Sequence, residues 1–151
     1  MSNEQLQNYM KELVPEVVFE ENTQYLVAVV PTEKIYAITE NLKKNASTAF
    51  DYMLSLTGVD YPDSYAVVYH LESTKHNHLI VLKAKMDKQN PKIDSVCKVW
   101  PAAELQEREV FDFFGVHFNN HPDLRRLFMD EEWQGYPLRK DYKDEINIVE
   151  L

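Results

Sequence analysis

The sequence has a single cysteine, Cys97, among its 151 residues. A lone cysteine cannot form a disulfide within the chain, and it lacks the paired spacing of zinc and iron–sulfur ligands. This scarcity argues against a disulfide scaffold and a metal cluster, and it indicates a reducing compartment. We expect Cys97 to be a small, apolar residue of the core.

Long apolar runs are also missing. No stretch approaches the ~20 residues that a membrane-spanning helix needs. The polar start MSNEQLQNYM lacks the apolar region of a signal peptide. We therefore expect a soluble, cytoplasmic protein, which is still able to sit on a membrane complex.

Positive charge is scarce. Lys and Arg number 16 against 25 Asp and Glu, which gives a formal net charge of −9. Most of such a surface repels a phosphate backbone, which argues against free nucleic-acid binding. The sequence also has no Gly-rich loop of the kind that cradles phosphates.

Arginine is rare and confined to one region, because Arg108, Arg125, Arg126 and Arg139 all fall in the last third of the chain. The planar guanidinium makes paired hydrogen bonds and tolerates burial better than an ammonium group does. The segregation predicts buried ion pairs in this region, with chance placement as the alternative. The three glycines lie in tight polar and aromatic stretches, at Gly58, Gly115 and Gly135.

Three helices are predicted. Ser2 and Gln5 have capping-box spacing and open an amphipathic helix that ends before Pro15. Thr32 is expected to cap a second helix that runs to about Lys44. The third helix begins at WPAAEL, near residue 101, and ends at Gly115, a residue suited to a left-handed cap.

Two strand pairs are predicted between these helices. The segments EVVF and YLVAVV flank a turn-like EENTQ, and YAVVYHL and LIVLKAKM flank a polar ESTKHNH. In LIVLKAKM, apolar residues alternate with others as in a sheet with one solvated face. His76 and His78 fall in the polar turn, where we assign them no function beyond solubility.

The order of these elements predicts an α+β fold, an α/β sandwich in which antiparallel strand pairs are packed by helices. After Gly115 no regular structure is expected. We predict one domain overall, with residues 1–115 as its α+β core and residues 116–151 as an extended, irregular C-terminal docking tail.

The third helix carries charged residues on two faces. Glu107 projects among apolar positions, so we expect it to be buried and paired with arginine or with backbone donors from the following tail. Glu104, Arg108 and Asp112 are spaced four residues apart on another face, where we expect a solvated ladder of weak ion pairs.

An enzymatic alternative uses the histidines after this helix. His117 and His121, with Asp112 nearby, are candidates for a general base or a metal site. No third ligand has a familiar spacing, and no nucleophile motif accompanies them. The alternative is therefore weaker than a structural role for the same residues.

The run EREVFDFFGVHFNNHPDLRRLF at residues 107–128, followed by GYPLRKDY, resembles the signature of the C-subunit family of respiratory complex I, the proton-pumping NADH:quinone oxidoreductase. Upstream segments such as LTGVDYP and YAVVYHLES agree in order, so the resemblance covers residues 50–142 well. Asn120 stands where glycine is common and Phe128 replaces a smaller aliphatic residue. The matching positions are Glu107, Arg108, Glu109, Asp112, Gly115, His121, Pro122, Asp123, Arg125, Arg126, Pro137, Leu138, Arg139, Lys140 and Asp141.

The resemblance implies a non-catalytic subunit of the hydrophilic arm. These signature residues are then docking residues, with none of them catalytic, metal-binding or cofactor-binding. The chain itself is expected to bind no cofactor, while FMN and iron–sulfur clusters belong to the wider complex. The implied partners are other hydrophilic-arm subunits, chiefly the quinone-site subunit that resembles the large subunit of nickel–iron hydrogenases.

The resemblance also implies a location, at the cytoplasmic face of the cell membrane as a peripheral component of the complex. Three alternatives stay open. The chain is the equivalent subunit of a membrane-bound hydrogenase or of a dehydrogenase with another electron donor, a stand-alone enzyme that uses His117 and His121, or a general adaptor.

Overall fold

The computed structural model describes residues 1–21 and 23–144. It has an α+β fold, as predicted, with three α-helices and seven strands in these ranges. The helices are α1 (Asn3–Leu13), α2 (Ile35–Lys44, after a 3-10 turn at Thr32–Lys34) and α3 (Ala103–Phe114). The strands are β1 (Val18–Phe19), β2 (Val27–Val30), β3 (Tyr52–Asp60), β4 (Tyr65–Ser73), β5 (His78–Met86), β6 (Lys92–Asp94) and β7 (His117–Asn119).

Five strands form one sheet in the order β1-β2-β5-β4-β3. The two predicted hairpins, β1-β2 and β4-β5, are antiparallel as expected, and β2 joins them through a parallel pairing with β5. The sheet therefore links an N-terminal hairpin to a three-stranded antiparallel meander.

The edge strand β3 was not predicted. Its register shifts between Met53 and Ser55, so Leu54 bulges out of the ladder with β4. Met53 and Leu56, three residues apart, are both buried as a result. A bulge of this kind breaks the two-residue alternation that marks a strand in a sequence.

The first two helices pack against one face of the sheet. The predicted capping box at Ser2 and Gln5 is present at the start of α1. The predicted cap at Thr32 is wrong, because its hydroxyl donates to the Lys85 carbonyl oxygen at 2.6 Å and begins a 3-10 turn. The core formed by these helices and the sheet includes Leu6, Met10, Ile35, Ile38, Leu42, Val67, Tyr69, Leu71, Ile80 and Leu82.

The chain after Gly115 is more regular than predicted. Residues His117–Asn119 form β7, which pairs in parallel with β6. Phe118 is buried in the core, so this short strand continues the core past α3. The division of the chain at residue 115 stays a prediction.

The histidines of the β4-β5 hairpin also differ from expectation. His78 is buried on β5, and its Nε2 lies 2.7 Å from the Thr48 carbonyl oxygen. Its ring packs on Phe50 with the ring centroids 4.7 Å apart. His78 is thus a core residue rather than a residue of the polar turn.

None of the helices in residues 1–21 and 23–144 is long and apolar enough to cross a membrane. The longest described helix, α3, has 12 residues.

Helix α3 lies close to the edge strand β3. The Gln106 Oε1 atom accepts a hydrogen bond from the Leu56 backbone N–H at 2.6 Å. At Gly58, an added Cβ would lie 2.6 Å from Cδ2 of Phe114 and 3.1 Å from Cγ1 of Val110. The absence of a side chain at Gly58 therefore lets the helix approach the strand.

Replacing Gly58 with Ala should lower the free energy of unfolding by about 1–3 kcal/mol, because the new methyl group overlaps the Phe114 ring. Chemical denaturation measures the loss. Thr57→Ala, at an exposed neighbour on the same strand, is the control and should have little effect. Phe114→Leu, which removes the ring, should reduce the cost of Gly58→Ala, and an undiminished cost would contradict the contact.

Candidate functional site

The candidate site is the junction between α3 and the segment that follows β7, residues 120–144, which is called the tail from here on. Helix α3 ends at Gly115, which has φ of 72° and the left-handed conformation expected of a C-cap. Asn120 is also left-handed, with φ of 62°, a conformation that suits a position where glycine is common in the family. These two turns direct the tail back across α3.

Asp112 is the main attachment point of the tail. Its carboxylate is fully buried. Oδ2 accepts hydrogen bonds from the backbone N–H groups of Leu127, Phe128 and Met129 at 3.1, 2.6 and 3.0 Å. Oδ1 accepts from Nη1 of Arg126 at 3.2 Å. One side chain of α3 therefore binds three consecutive tail amides and one guanidinium.

These donors determine the charge state of Asp112. Burial alone would raise the pKa of the carboxyl, but the hydrogen bonds from Met129, Phe128 and Leu127 and the Arg126 guanidinium outweigh it. The pKa of Asp112 is lowered below its ordinary value of 3.8. The group is an anion throughout the physiological range.

The predicted solvated ladder on α3 is wrong for two of its three members. Arg108 and Asp112 are both buried. The Arg108 guanidinium donates to the carbonyl oxygens of Arg125 and Arg126, at 3.1 Å each. The helical spacing shows that these residues share one face of α3. It does not show that the tail covers this face, because the tail has no periodic pattern from which its path could be predicted.

Arg126 and Arg139 fix the tail further along its length. Nη2 of Arg126 donates to the carbonyl oxygens of Trp133 and Gly135, at 3.1 and 2.9 Å. Nε of Arg139 donates to the Phe114 carbonyl oxygen at 2.7 Å. Both arginines therefore fix the path of the tail backbone through directed hydrogen bonds to carbonyl oxygens.

A series of cation–π contacts continues from these arginines. The guanidinium carbons of Arg126 and Arg139 lie 4.9 and 4.6 Å from the centroid of the Tyr136 ring. Arg139 also lies 5.0 Å from the Tyr65 ring, and the Lys88 ammonium is 5.0 Å from that ring. These cation–π contacts join the tail to β4.

Asp60 supplies a second carboxylate that binds the tail. This buried residue at the end of β3 accepts a hydrogen bond from the Lys140 backbone N–H at 2.8 Å and pairs with the Lys88 ammonium at 2.5 Å. Sequence reasoning missed Asp60 and Tyr65. Both fall in the upstream segments LTGVDYP and YAVVYHLES that resemble the family, but they lie 80 and 74 residues before the tail positions that they contact, so the local pattern does not identify the contact.

The arginine prediction thus has a mixed outcome. Arg126 and Asp112 form a buried ion pair, as expected. Arg108 and Arg139 instead donate to backbone carbonyl groups, and Arg125 pairs with Asp123 at 2.9 Å on the exposed surface. Arginine is used here mainly to organise irregular backbone.

Glu107 forms a separate buried cluster. Its carboxylate is fully buried, as predicted, and accepts from Ser95 Oγ at 2.6 Å, the Val96 backbone N–H at 2.7 Å and Cys97 Sγ at 3.1 Å. The prediction that the following tail supplies the donors is wrong, because the segment before α3 supplies them. A helical wheel shows that the face is buried but not which segment covers it.

The environment of Glu107 is less favourable to charge than that of Asp112. Burial raises the pKa of Glu107, and the hydrogen bonds from Ser95, Val96 and Cys97 offset that rise only in part. Burial also raises the pKa of the Cys97 thiol to about 12. The thiol therefore stays protonated and donates to the carboxylate.

Cys97, Glu107 and His121 bring potential metal ligands within 4.8 Å of one another. His121 Nδ1 accepts from the Asp123 backbone N–H at 2.9 Å, which leaves the Nε2–H to donate to the Glu104 carbonyl oxygen at 2.9 Å. A neutral imidazole has one donor and one acceptor, so both are in use. Because both ring nitrogens of His121 are in hydrogen bonds, the three residues fit a hydrogen-bonded structural cluster better than a metal site.

The alternative in which His117 and His121 form one site has no support from this arrangement. His117 is exposed on β7, outside the cluster of Cys97, Glu107 and His121. Asp112, the third member of the enzymatic alternative, is surrounded by tail amides. The three side chains therefore do not share one site.

The remaining signature residues divide by exposure. Pro137 is half-buried at the junction. Exposed positions are Glu109, Pro122, Asp123, Arg125, Leu138, Lys140 and Asp141. The signature thus includes residues that bind the tail to the core and residues that face outward.

Apolar side chains also face outward at the junction. Phe128 is 65% exposed and stacks on Phe113 with the ring centroids 5.4 Å apart and the planes 6° from parallel. Leu138 is 54% exposed. Aromatic and aliphatic groups left open on an otherwise well-bonded segment are typical of a protein–protein interface.

Comparisons with known proteins agree with these features. Residues 28–146 match the profile of a family described as "Respiratory-chain NADH dehydrogenase, 30 Kd subunit". The chain is 37% identical over 143 residues to the C subunit of the NADH-quinone oxidoreductase of Moorella thermoacetica, and the match covers 91% of this chain and 95% of that protein. It is 42% identical over 124 residues to the C/D subunit of the NADH-quinone oxidoreductase of Phocaeicola vulgatus, covering 81% of this chain but 24% of that longer protein.

Two solved structures have the same fold. The trypsin-resistant fragment (1-134) of Nqo5 is 26% identical with a TM-score of 0.72, and the match covers 82% of this chain and all of that one. A chain of the membrane-bound sulfane sulfur reductase, an archaeal respiratory membrane complex, is 29% identical with a TM-score of 0.77, covering 95% of this chain and 86% of that one.

Asp112→Asn should destabilise the folded chain by about 3 kcal/mol, because it leaves Arg126 without its buried partner. In the same variant, the amides of Leu127, Phe128 and Met129 should exchange their hydrogens faster than in the parent chain. Asp63→Asn, at an exposed carboxylate, is the control. Unchanged exchange in Asp112→Asn would show that the carboxylate does not hold the tail.

The two buried carboxylates should have opposite effects on stability as pH changes. The lowered pKa of Asp112 gives a contribution that is present above its ordinary value of 3.8 and is lost as pH falls through the folded pKa. The raised pKa of Glu107 gives a contribution that is complete below its ordinary value of 4.5 and is lost as pH rises through the folded pKa. Chemical denaturation measures the free energy of unfolding at a series of pH values. In the parent chain this free energy should decline as pH rises above 4.5, and Glu107→Gln should remove that decline. An unchanged pH profile in Glu107→Gln would refute the assignment.

Proposed function

Because the chain belongs to the family of the 30 kDa subunit of respiratory-chain NADH dehydrogenase, we propose that it is a hydrophilic-arm subunit of a proton-translocating NADH:quinone oxidoreductase. Its proposed role is to scaffold the subunit that forms the quinone site. The observation that carries this proposal is the junction of α3 and the tail, which is bonded inward through Asp112 and Asp60 and leaves Phe128 and Leu138 exposed.

The proposed role is non-catalytic for this chain. The signature carboxylates Glu107 and Asp112 accept three and four hydrogen bonds from donors of the chain itself. Carboxylates that are fully buried and bonded in this way hold structure and are not accessible to a substrate. FMN, iron–sulfur clusters and quinone are then bound by other subunits of the complex.

The proposed partner is the quinone-site subunit that resembles the large subunit of nickel–iron hydrogenases. The complex places the chain at the cytoplasmic face of the cell membrane, as a peripheral component. The exposed part of the tail supports such docking, because it combines arginine with aromatic residues, the types enriched at the centres of interfaces.

A second candidate is the equivalent subunit of a respiratory membrane complex with another electron donor. The specific support is the fold shared with a chain of the membrane-bound sulfane sulfur reductase, over 95% of this chain. Gentle solubilisation of membranes and purification through a tag on this chain would separate the candidates. Reduction of a quinone by NADH in the purified complex supports the first, and activity with a different donor only supports the second.

Arg125→Glu should lower the yield of intact complex about fivefold, because the reversed charge disfavours a desolvated contact. The NADH:quinone activity per assembled complex should stay unchanged. Arg139 is unsuitable for this test, since its guanidinium holds the tail from inside. The measurements are complex yield on a native gel and activity of the gel-purified complex.

Lys75→Glu, an identical charge reversal at an exposed turn, is the matched control and should leave the yield unchanged. Full yield of the Arg125→Glu complex with abolished turnover would mean that the tail takes part in the reaction, and the scaffold role would be wrong.

A further inference from the structure

A groove of about 200 Å³ lies on the surface where β3, α3 and the tail meet. Leu56 lies on its strand side, Phe113 and Phe114 on its helix side, and Leu138 on its tail side. The exposed Phe128 ring extends this apolar surface by stacking on Phe113. All three elements therefore line the groove, and its volume is large enough for one or two apolar side chains.

One charged residue, Glu109, lines the groove. Its side chain is exposed and makes no hydrogen bond or ion pair with the residues that the structure describes. Leu105 and Phe113 lie one helical turn before and after it, and Leu105 is also exposed. The carboxylate thus stands alone in the middle of an apolar stripe.

The arginines of the tail do not neutralise Glu109. Arg126 and Arg139 are turned inward to carbonyl groups and to the Tyr136 ring. Arg125 pairs with Asp123. Covering the groove with an uncharged surface would desolvate Glu109 without compensation, which is costly. A surface that covers it must bring a positive charge.

We propose that the groove receives an apolar side chain from a neighbouring subunit of the complex, on a segment in which Lys or Arg stands close by and pairs with Glu109. The apolar side chain fills the space between Leu56, Phe114 and Leu138, and the cation is attracted to a chain of net charge −9. This inference rests on the proposed function, because it requires a partner subunit.

Photo-crosslinking in the intact complex identifies the occupant. The probe is p-benzoylphenylalanine at Thr57, an exposed residue that lines the groove. The expected product joins Thr57 to a peptide of another subunit, with Lys or Arg within a few residues of the crosslinked position. The same probe at Val18, which is 61% exposed on the opposite edge of the sheet, is the control.

The outcomes separate two failures. A crosslink to lipid, to a second peptide of this chain or to nothing, in a complex that is assembled, would overturn the groove assignment and leave the proposed function standing. A tagged chain that purifies without respiratory subunits would overturn the proposed function itself. A crosslinked peptide without a nearby cation would overturn the role given to Glu109.

Two substitutions test the contacts themselves. Leu138→Asp should lower the yield of complex about tenfold, whereas Val18→Asp at a similarly exposed site should not. Glu109→Lys should lower the yield, and replacing the mapped cation of the partner with Glu should restore it. The unfolding midpoints of the isolated variants should match the parent chain. A full yield with Leu138→Asp, or no rescue in the paired reversal, would contradict the proposal.

Discussion

The position of the tail depends on hydrogen bonds that run in both directions between it and α3, and the carboxylate of Asp112 accepts more of them than any other group. A segment without regular structure must still satisfy its backbone groups. Here Asp112 accepts from three successive tail amides. Without a buried acceptor at this position, the amides of residues 127–129 would need water, and the tail would lose its main attachment to the helix.

The contrast between Asp112 and Glu107 shows how donors control charge in the same helix. Both carboxylates are fully buried, yet the pKa of Asp112 is lowered and that of Glu107 is raised. Asp112 receives three amides and a guanidinium, whereas Glu107 receives one amide, a hydroxyl and a thiol. The tail thus determines the charge state of one of these residues, and the segment before α3 determines that of the other.

The sequence allows prediction of features whose causes are local. The capping box at Ser2, both hairpins and the left-handed Gly115 follow from patterns within a few residues. The burial of Glu107 follows from its position on a helical face. The family signature locates the junction, but it does not identify the atoms that form it.

Features that depend on distant segments could not be predicted in this way. The bulge at Leu54 removes the alternation of β3, and β7 has three residues, which is too few for a periodic pattern. The burial of Arg108 follows from the path of the tail. These features require the packed structure, because no neighbouring residues determine them.

The end of α3 has a further consequence for cooperativity. Its last four carbonyl groups all find donors: Phe111 from the Gly115 amide, Asp112 from Arg126, Phe113 from the Leu138 amide and Phe114 from Arg139. The last turn of α3 has no basic residue of its own, so the cations that favour the negative end of the helix dipole come from the tail. We therefore expect the helix end and the tail to unfold and form together as one cooperative unit.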